Sequence, residues 1–306
     1  MENQSEKEVT KVLNTETQEI PSNEVSREVT LFAEPIAHIG NFTLTNALFS
    51  SFIVVTIIII LSLFLRLKLK EIPNKLQNIF ELIVDEGLQL CDQVTNSRAL
   101  SNKIFPIAIS VFFFVLINNW FGILPLGGFG LMEKGEHGLA FIPLIRGGTA
   151  DINTTIPLAV MAVVGANLFG IFSIGIWKTF NKYVNLKVIG QIFTKIRKDK
   201  TIIIVAPITF FVGFLEIIGE FAKVASLSFR LFGNVFAGEV LLASMAALVA
   251  YVIPIPFLFL EILVGMIQAL IFSILLIVYF TIASTDHEEH EESSHNESII
   301  ISNNAA

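Results

Sequence analysis

Uncharged apolar segments constrain this chain more than any other feature of its sequence. The clearest is residues 39–65, which hold no charged residue and include the run ALFSSFIVVTIIIILSLFL. A run of this length can cross the apolar core of a bilayer as one helix. The chain of 306 residues is 53% hydrophobic and only 15% charged, whereas a soluble domain carries about 25% charged residues. The sequence therefore predicts an all-α integral membrane protein.

Three segments have the length and composition of upright transmembrane helices, at about residues 45–65, 104–126 and 156–177. A fourth segment, residues 76–94, has apolar side chains on one helical face and polar side chains on the other. This pattern is typical of an amphipathic helix that lies along a membrane surface.

The C-terminal half holds an apolar segment that is too long for one upright span. Residues 207–250 contain no helix breaker except isolated glycines, and as a helix they would be about 65 Å long, roughly twice the bilayer's apolar thickness. The first credible turn is YVIPIPF at 251–257. We therefore expect a tilted helical hairpin, residues 207–250 and 257–284, within a membrane domain that covers residues 34–285.

Charge placement predicts the orientation of these helices. Basic residues concentrate at 66–75 and 178–200, and basic loops favour the cytoplasmic side. The glycine-rich loop at 127–151 and the N-terminus are then outside, and the C-terminus is cytoplasmic. Residues 1–33 and 286–306 are acidic and polar, so we expect both to be disordered. The sequence shows no basic patch for nucleic acid, and we expect no cofactor and no metal site, even in the tail segment HEEHEESSH.

One arginine, Arg230, lies in the apolar segment SFRLFGNVFAGE, where placing a cation in lipid costs roughly 3 kcal/mol. Six small residues fall with it in a helical arc of about 80°, at about 100° per residue. They are Gly219, Ala222, Ser226, Gly233, Ala237 and Ser244. Small residues let another helix approach closely in lipid, so Arg230 is expected to face a neighbouring protein. The alternative is a purely structural pair with Glu216 or Glu220 of the same chain.

Polar residues flank Arg230 on both sides along the predicted hairpin. By the topology above, Glu216, Glu220 and Lys223 lie toward the inside, and Asn234 and Glu239 lie toward the outside. On the returning helix, Glu261, Gln268 and Tyr279 share one face. Two polar routes are thus predicted to reach Arg230 from opposite membrane surfaces. The alternative for Glu239 and Glu261 is that both carboxylates only reach toward the interface near the turn.

The segment SLSFRLFGNVFAGEVL resembles the signature of subunit a of the rotary F-type ATP synthase. IQALIFSILLIVYFTIAS resembles the last helix of that family, and FPIAISVFFFVLINNWFGILP and ADINTTIPLAV resemble its middle helices more loosely. The resemblance implies an ion-translocating stator subunit in a bacterial inner membrane, with a proton as the expected ion. Its implied partners are a ring of c subunits, the b subunits of the peripheral stalk, and lipid.

The resemblance also implies roles for individual residues. Arg230 would be the essential arginine that faces the c-ring. The outer half-channel would be lined by Asn234, Glu239, Glu261 and Gln268, and the inner one by Glu216, with Glu220 and Ser226 beside it. Position 261 is histidine and position 122 is acidic in some members, whereas this chain has Glu261 and Gly122.

Three other function classes are compatible with a polytopic membrane protein. A secondary ion transporter acting alone should show inverted repeats and interrupted helices, and the sequence shows neither. A membrane-embedded enzyme needs a nucleophile–base pair or metal ligands within its spans, and no catalytic site of the chain's own is visible. A passive scaffold would not need Arg230 and its polar neighbours in apolar segments.

Overall fold

The computed structural model describes residues 33–40, 42–70, 73–123, 130–135, 138–143, 145–177, 179, 202–248 and 252–284. Within these residues, five helices are long and apolar enough to cross a membrane. The prediction of an all-α integral membrane protein is confirmed. The helices are α1 (Asn46–Lys68), α2 (Lys75–Thr95), α3 (Arg98–Ile123), α4 (Ile152–Ile174), α5 (Ile202–Leu248) and α6 (Pro254–Ser284), of which α2 is not a candidate span.

Two short β-hairpins lie at one end of the helix bundle, which we call the hairpin end. Strand β1 (Pro35–Ile39) pairs with β2 (Phe42–Thr45), and β3 (Gly130–Gly135) pairs with β4 (Gly138–Pro143), both antiparallel. The second hairpin lies where a glycine-rich loop was predicted, and no secondary structure was predicted just before α1. Strands of four to six residues give too short a pattern to be read from sequence.

Helix α6 is at the centre of the bundle. It packs against α3 and α4, while α5 packs on α4 and α6, α2 on α3 and α6, and α1 on α3. Side-chain hydrogen bonds fix α3 antiparallel to α6. Asn119 Nδ2 donates to Gly265 O at 3.0 Å, and Ser273 Oγ donates to Ala108 O at 3.0 Å.

Small residues allow α4 to pack closely against α6. Ala159, Ala162, Ala166 and Gly170 are buried on one face of α4, and a Cβ added at Gly170 would meet the backbone of Ala283. Phe272 and other large side chains of α6 fill the remaining core. In lipid, this kind of packing and interhelical hydrogen bonding hold helices together, because lipid tails are as apolar as the side chains.

The outer surface of the bundle is apolar, as expected for a protein surrounded by lipid. Helix α1 buries only Asn46, Ala47, Ser50 and Val54, all within its first half. Its large side chains point outward, with Phe52 73% exposed and Leu67 85% exposed. This distribution reverses that of a soluble protein.

Helix α2 covers the segment where the amphipathic helix was predicted, 76–94. It ends at Asn96, whose backbone is left-handed with φ 52° and whose N–H donates to Asp92 O at 2.9 Å. Asparagine tolerates this conformation at a helix end. A short turn then leads into α3, where Arg98 forms an ion pair with Asp92. Whether α2 lies along a membrane surface stays a prediction.

The long hairpin consists of two unbroken helices. Helix α5 has 47 residues, about 70 Å, and a turn at residues 252–253 leads into α6. Helix α6 begins at Pro254, three residues before the predicted start, because proline suits the first turn of a helix. The predicted basic loop, apart from Thr179, and the two predicted disordered ends, apart from Ala33, lie outside the described residues.

Candidate functional site

Arg230 lies on α5 and is exposed. Its Nη2 lies 3.4 Å from Ser226 Oγ, one turn earlier on the same helix. Among the described residues, Arg230 forms no ion pair. Glu220, one of its two possible intrachain partners, instead binds Lys223 and Asn167. The guanidinium therefore points away from the bundle of its own chain.

The small-residue face predicted around Arg230 is open along its whole length. Ala222, Ser226, Gly233, Ala237 and Ser244 are exposed, and Gly219 is half-buried. A Cβ added at Gly219 or Gly233 would have no atom within 4 Å. Buried residues such as Leu227 and Leu231 lie on another side of α5. The small face thus runs from Gly219 to Ser244, about 38 Å, with nothing from the described residues packed on its glycines.

Between Arg230 and the hairpin end, a guanidinium and two carboxylates lie together. Arg146 donates from Nε and Nη2 to Glu239 Oε2, at 3.3 and 3.1 Å. The side chain of Arg146 is 8% exposed and that of Glu239 is 21% exposed. Glu261, on α6, is 9% exposed, and its carboxylate lies so close to Gly238 that a Cβ added there would overlap it. These residues form the cluster that we call the outer cluster: Arg146, Glu239 and Glu261.

Further amide side chains lie near the outer cluster, on α3, α5 and α6. Gln268 lies two turns after Glu261 on α6 and is 6% exposed, and its Nε2 has no hydrogen-bond partner among the described residues. One turn before it, Gly265 O accepts from Asn119, which in turn accepts from Thr149 Oγ1 at 2.8 Å. Asn234, on α5, is half-buried. A buried amide with an unsatisfied donor is typical of a site that a water or ion occupies.

A second polar cluster lies on the opposite side of Arg230. Glu220 Oε1 accepts from Lys223 Nζ at 2.8 Å, and Glu220 Oε2 accepts from Asn167 Nδ2 at 3.2 Å. The Lys223 ammonium is also 5.6 Å from the centre of the Tyr279 ring. We call Asn167, Glu220 and Lys223 the inner cluster. Glu216, one turn farther from Arg230, is half-buried.

The two clusters bracket Arg230 along α5. Arg230 is nine residues from Glu239 and ten from Glu220, so it lies about 14 and 15 Å from them along the helix axis. The clusters are therefore separated by about 28 Å along the axis of α5.

Comparison with known proteins decides the family. A family model described as ATP synthase A chain matches residues 48–281. ATP synthase subunit a of Mycobacterium bovis is 32% identical over 253 residues, which cover 80% of this chain and 89% of the relative. The subunit a of Gloeobacter violaceus is 30% identical over 271 residues, 89% of this chain and 94% of the relative. The chain belongs to the ATP synthase subunit a family.

A chloroplast protein is similar to this chain to about the same degree as the bacterial relatives. The chloroplastic ATP synthase subunit a of Oedogonium cardiacum is 31% identical over 251 residues, 81% of this chain and 86% of the relative. The predicted resemblance to subunit a is confirmed. The segment matched by the family model includes Arg230 and every other predicted site residue.

The structure adds residues to the site that sequence reasoning on subunit a missed. Arg146 falls in the predicted outer loop, 127–151, where its nearest neighbours in IPLIRGGTA are apolar residues and glycines. Asn167 falls within the predicted span 156–177 and was assigned no role. The adjacent amides in INNW, which include Asn119, were the clearest available signal, since amides in a span seek partners on other helices.

Proposed function

We propose that this chain is the ion-translocating stator subunit in the membrane sector of a rotary ATP synthase, with Arg230 facing a ring of c subunits. The observation that carries the proposal is the placement of Arg230. It is a permanent cation on the open small-residue face of α5, between two polar clusters about 28 Å apart. Membership of the subunit a family supports the same role.

Each half of the site has a proposed task. The outer half-channel is lined by Asn234, Glu239, Glu261 and Gln268, and the inner one by Glu216, Glu220 and Ser226. The rotor ring passes along the smooth face formed by Gly219, Ala222, Gly233, Ala237 and Ser244. Glu239 and Glu220 leave α5 in different directions, about 100° apart, because they are 19 residues apart and a helix turns about 100° per residue.

The mechanism follows from the energy of charge in lipid. A carboxylate on a c subunit is uncharged while it faces lipid, since burial there disfavours its ionised form. Opposite Arg230 the ionised form gains a cation at short range, so its proton leaves through the inner half-channel. A proton from the outer half-channel then neutralises the carboxylate, which can re-enter lipid. Arg230 also repels any proton that would pass directly between the half-channels.

The proposed orientation places the hairpin end outside a bacterial plasma membrane and the basic end of α1 in the cytoplasm. Arg66 and Lys68 occupy the last turn of α1, which favours the cytoplasmic side for that end. Proton flow from the hairpin end inward then contributes about 2.3 kcal/mol per elementary charge for each 100 mV.

The b subunits of the peripheral stalk are the second proposed protein partner. The proposed contact with the c-ring occupies the face around Arg230, so the b subunits would bind another surface of the chain. A groove of about 850 Å³ between α1, α2 and α3 is available, lined by residues such as Phe64, Phe80 and Phe113.

The test is ATP-driven proton pumping by the intact complex reconstituted into vesicles, with and without sodium. Arg230→Ala should abolish pumping while the complex still assembles, because the exposed side chain makes only one weak contact within the chain. Arg230→Lys should substitute poorly, since a lysine in a desolvated site can lose its proton. Arg98→Ala is the matched control, because Arg98 is also exposed but lies at the start of α3, far along the chain from α5.

Two outcomes would contradict the proposal. Normal pumping by the Arg230→Ala complex would show that the cation is not required. Coupled ion flux through this chain alone in vesicles, without a c-ring, would instead favour a secondary transporter that acts alone.

A further inference from the structure

Arg146 is held in place from several directions although it belongs to the connection between β4 and α4. Its backbone N–H donates to Ser50 Oγ of α1 at 3.2 Å. The next residue, Gly147, packs directly on Gly122 of α3, where an added Cβ would lie 3.1 Å from the other Cα. The side chain is 8% exposed. A buried arginine fixed in this way has a defined direction, and it points at Glu239.

The charges around Glu239 can be named from every element that packs near it. At the hairpin end the described titratable groups are Glu34, Arg146, Asp151, Glu239 and Glu261, together with His38 on β1 and Glu133 and Lys134 on β3. Asp151 is committed to the start of α4, where its Oδ1 accepts from Asn153 N at 3.1 Å. The backbone oxygen of Glu34 accepts from Asn46 N at 3.0 Å. The α1 and α3 residues at this end are uncharged, and among them Ser51 and Asn118 lie 3.5 Å apart.

Within this set the outer cluster combines two acids and one cation. The Glu261 carboxylate lies against Gly238, and Glu239, the next residue, is within electrostatic range of Glu261, so the two acids are neighbours across the α5–α6 contact. Two acids at close range cannot both carry charge without a nearby cation. Arg146 supplies that cation from a third element, through two nitrogens on one oxygen of Glu239.

We propose that Arg146 is a positioning residue for ion entry: it holds the Glu239 carboxylate beside Glu261, so that the outer cluster binds and releases a proton as one unit. This inference rests on the proposed function, because it assigns the outer cluster to the outer half-channel. Arg146 does not itself carry the proton, since a guanidinium stays protonated at any ordinary pH. Its role is to set where the Glu239 carboxylate lies and how readily the two acids give up a proton.

The proposal is tested by the pH profile of the intact, reconstituted complex. The initial rate of ATP-driven pumping is measured in vesicles whose lumenal pH, on the outer side of the chain, is preset. In Arg146→Gln the Glu239 and Glu261 carboxylates lose the positive charge beside them. Their protonated forms are then favoured, so they release a proton only at a higher pH. We expect the rate to fall about tenfold, as for loss of a charge-assisted pair, and the half-maximal lumenal pH to rise by about 1 unit.

Three further variants separate positioning from a merely structural role. Arg146→Lys keeps the charge, so it should recover most of the rate with a smaller shift in the same direction. Glu239→Gln leaves a single acid that Arg146 does not bind directly, so adding Arg146→Gln to it should produce a smaller pH shift than in wild type, as expected for two coupled residues. Arg98→Gln, at the start of α3, should leave the profile unchanged.

Several results would overturn the inference. One is a wild-type profile in Arg146→Gln with only the amount of complex reduced, which would make Arg146 structural. Another is an equal shift by Arg146→Gln with and without Glu239→Gln. If Arg146→Gln does not assemble, Arg146→Lys takes its place, and an equal shift by Arg146→Lys with and without Glu239→Gln would overturn the inference. Failure of the wild-type complex to pump protons would instead contradict the proposed function, before any Arg146 variant is compared.

Discussion

Asn119 connects three parts of the fold, and its removal should weaken the bundle by an amount that the structure allows to be worked out. Its side chain is 2% exposed on α3. Nδ2 donates to Gly265 O of α6 at 3.0 Å, and Oδ1 accepts from Thr149 Oγ1 at 2.8 Å. Asn119→Ala deletes both hydrogen bonds. The methyl group that remains still contacts α6, because a Cβ at Gly265 would lie 3.2 Å from the Asn119 Cβ.

The expected loss follows from the known strength of hydrogen bonds between membrane helices. These contribute about 0.6 kcal/mol on average and up to about 1.7 kcal/mol. Two of them give about 1–3 kcal/mol, which is roughly a 5- to 150-fold change in the ratio of folded to unfolded chain. Asn118 is the matched control, since it is equally buried and adjacent. One of its hydrogen bonds is to Phe114 O of its own helix, and its interhelical contact with Ser51 is long, at 3.5 Å. Asn118→Ala should therefore lose less than half as much.

The free energy of unfolding can be measured by SDS titration in mixed micelles, with tryptophan fluorescence as the signal. Trp120 is a suitable probe, because its Nε1 donates to Ile262 O at 3.1 Å and this contact breaks when α3 and α6 separate. Changing Trp177 to Phe leaves Trp120 as the one tryptophan of the chain. Equal stability of Asn119→Ala and Asn118→Ala would refute the reasoning. So would independent effects of Asn119→Ala and Thr149→Ala, since bonded partners should couple by about 0.6 kcal/mol.

Two further predictions concern the turn between α2 and α3. The Ser101 hydroxyl and the Arg98 guanidinium lower the pKa of Asp92 below its ordinary value of 3.8. Because its pKa is lowered, the charged Asp92 carboxylate stabilises the turn at neutral pH, and this stabilisation is lost as the pH falls through the lowered pKa. Hydrogen exchange at the turn should therefore accelerate at such low pH in wild type but not in Asp92→Asn. Burial raises the pKa of the Cys91 thiol, which should therefore react slowly with maleimide at pH 7. A cysteine in place of exposed Gln93, in a Cys91→Ser background, should react rapidly, and equal rates would contradict the burial of Cys91.

The helices could be predicted from sequence because the backbone of a segment in lipid has few alternatives to a helix. A long uncharged run such as residues 39–65 must form a helix, since its backbone groups find no water to bind. The face around Arg230 was readable for a related reason. Small residues at helical spacing stay on one side wherever the helix packs, and the structure leaves that side open. The two β-hairpins were not predicted, because each strand is short and its pairing depends on contacts at the hairpin end.

The sequence by itself thus determined the membrane-spanning helices and the unusual position of Arg230, because these depend on composition and on the local period of a helix. It also indicated the family, through the resemblance of segments such as SLSFRLFGNVFAGEVL. Only the tertiary structure decided the partners of the buried polar groups. Arg146 meets Glu239 across 93 residues, Asn119 meets Gly265 across 146, and Asn167 meets Glu220 across 53. These pairs depend on where helices cross. The crossings are set by close packing at small residues such as Gly170 and Gly238, and no periodicity within one segment contains that information.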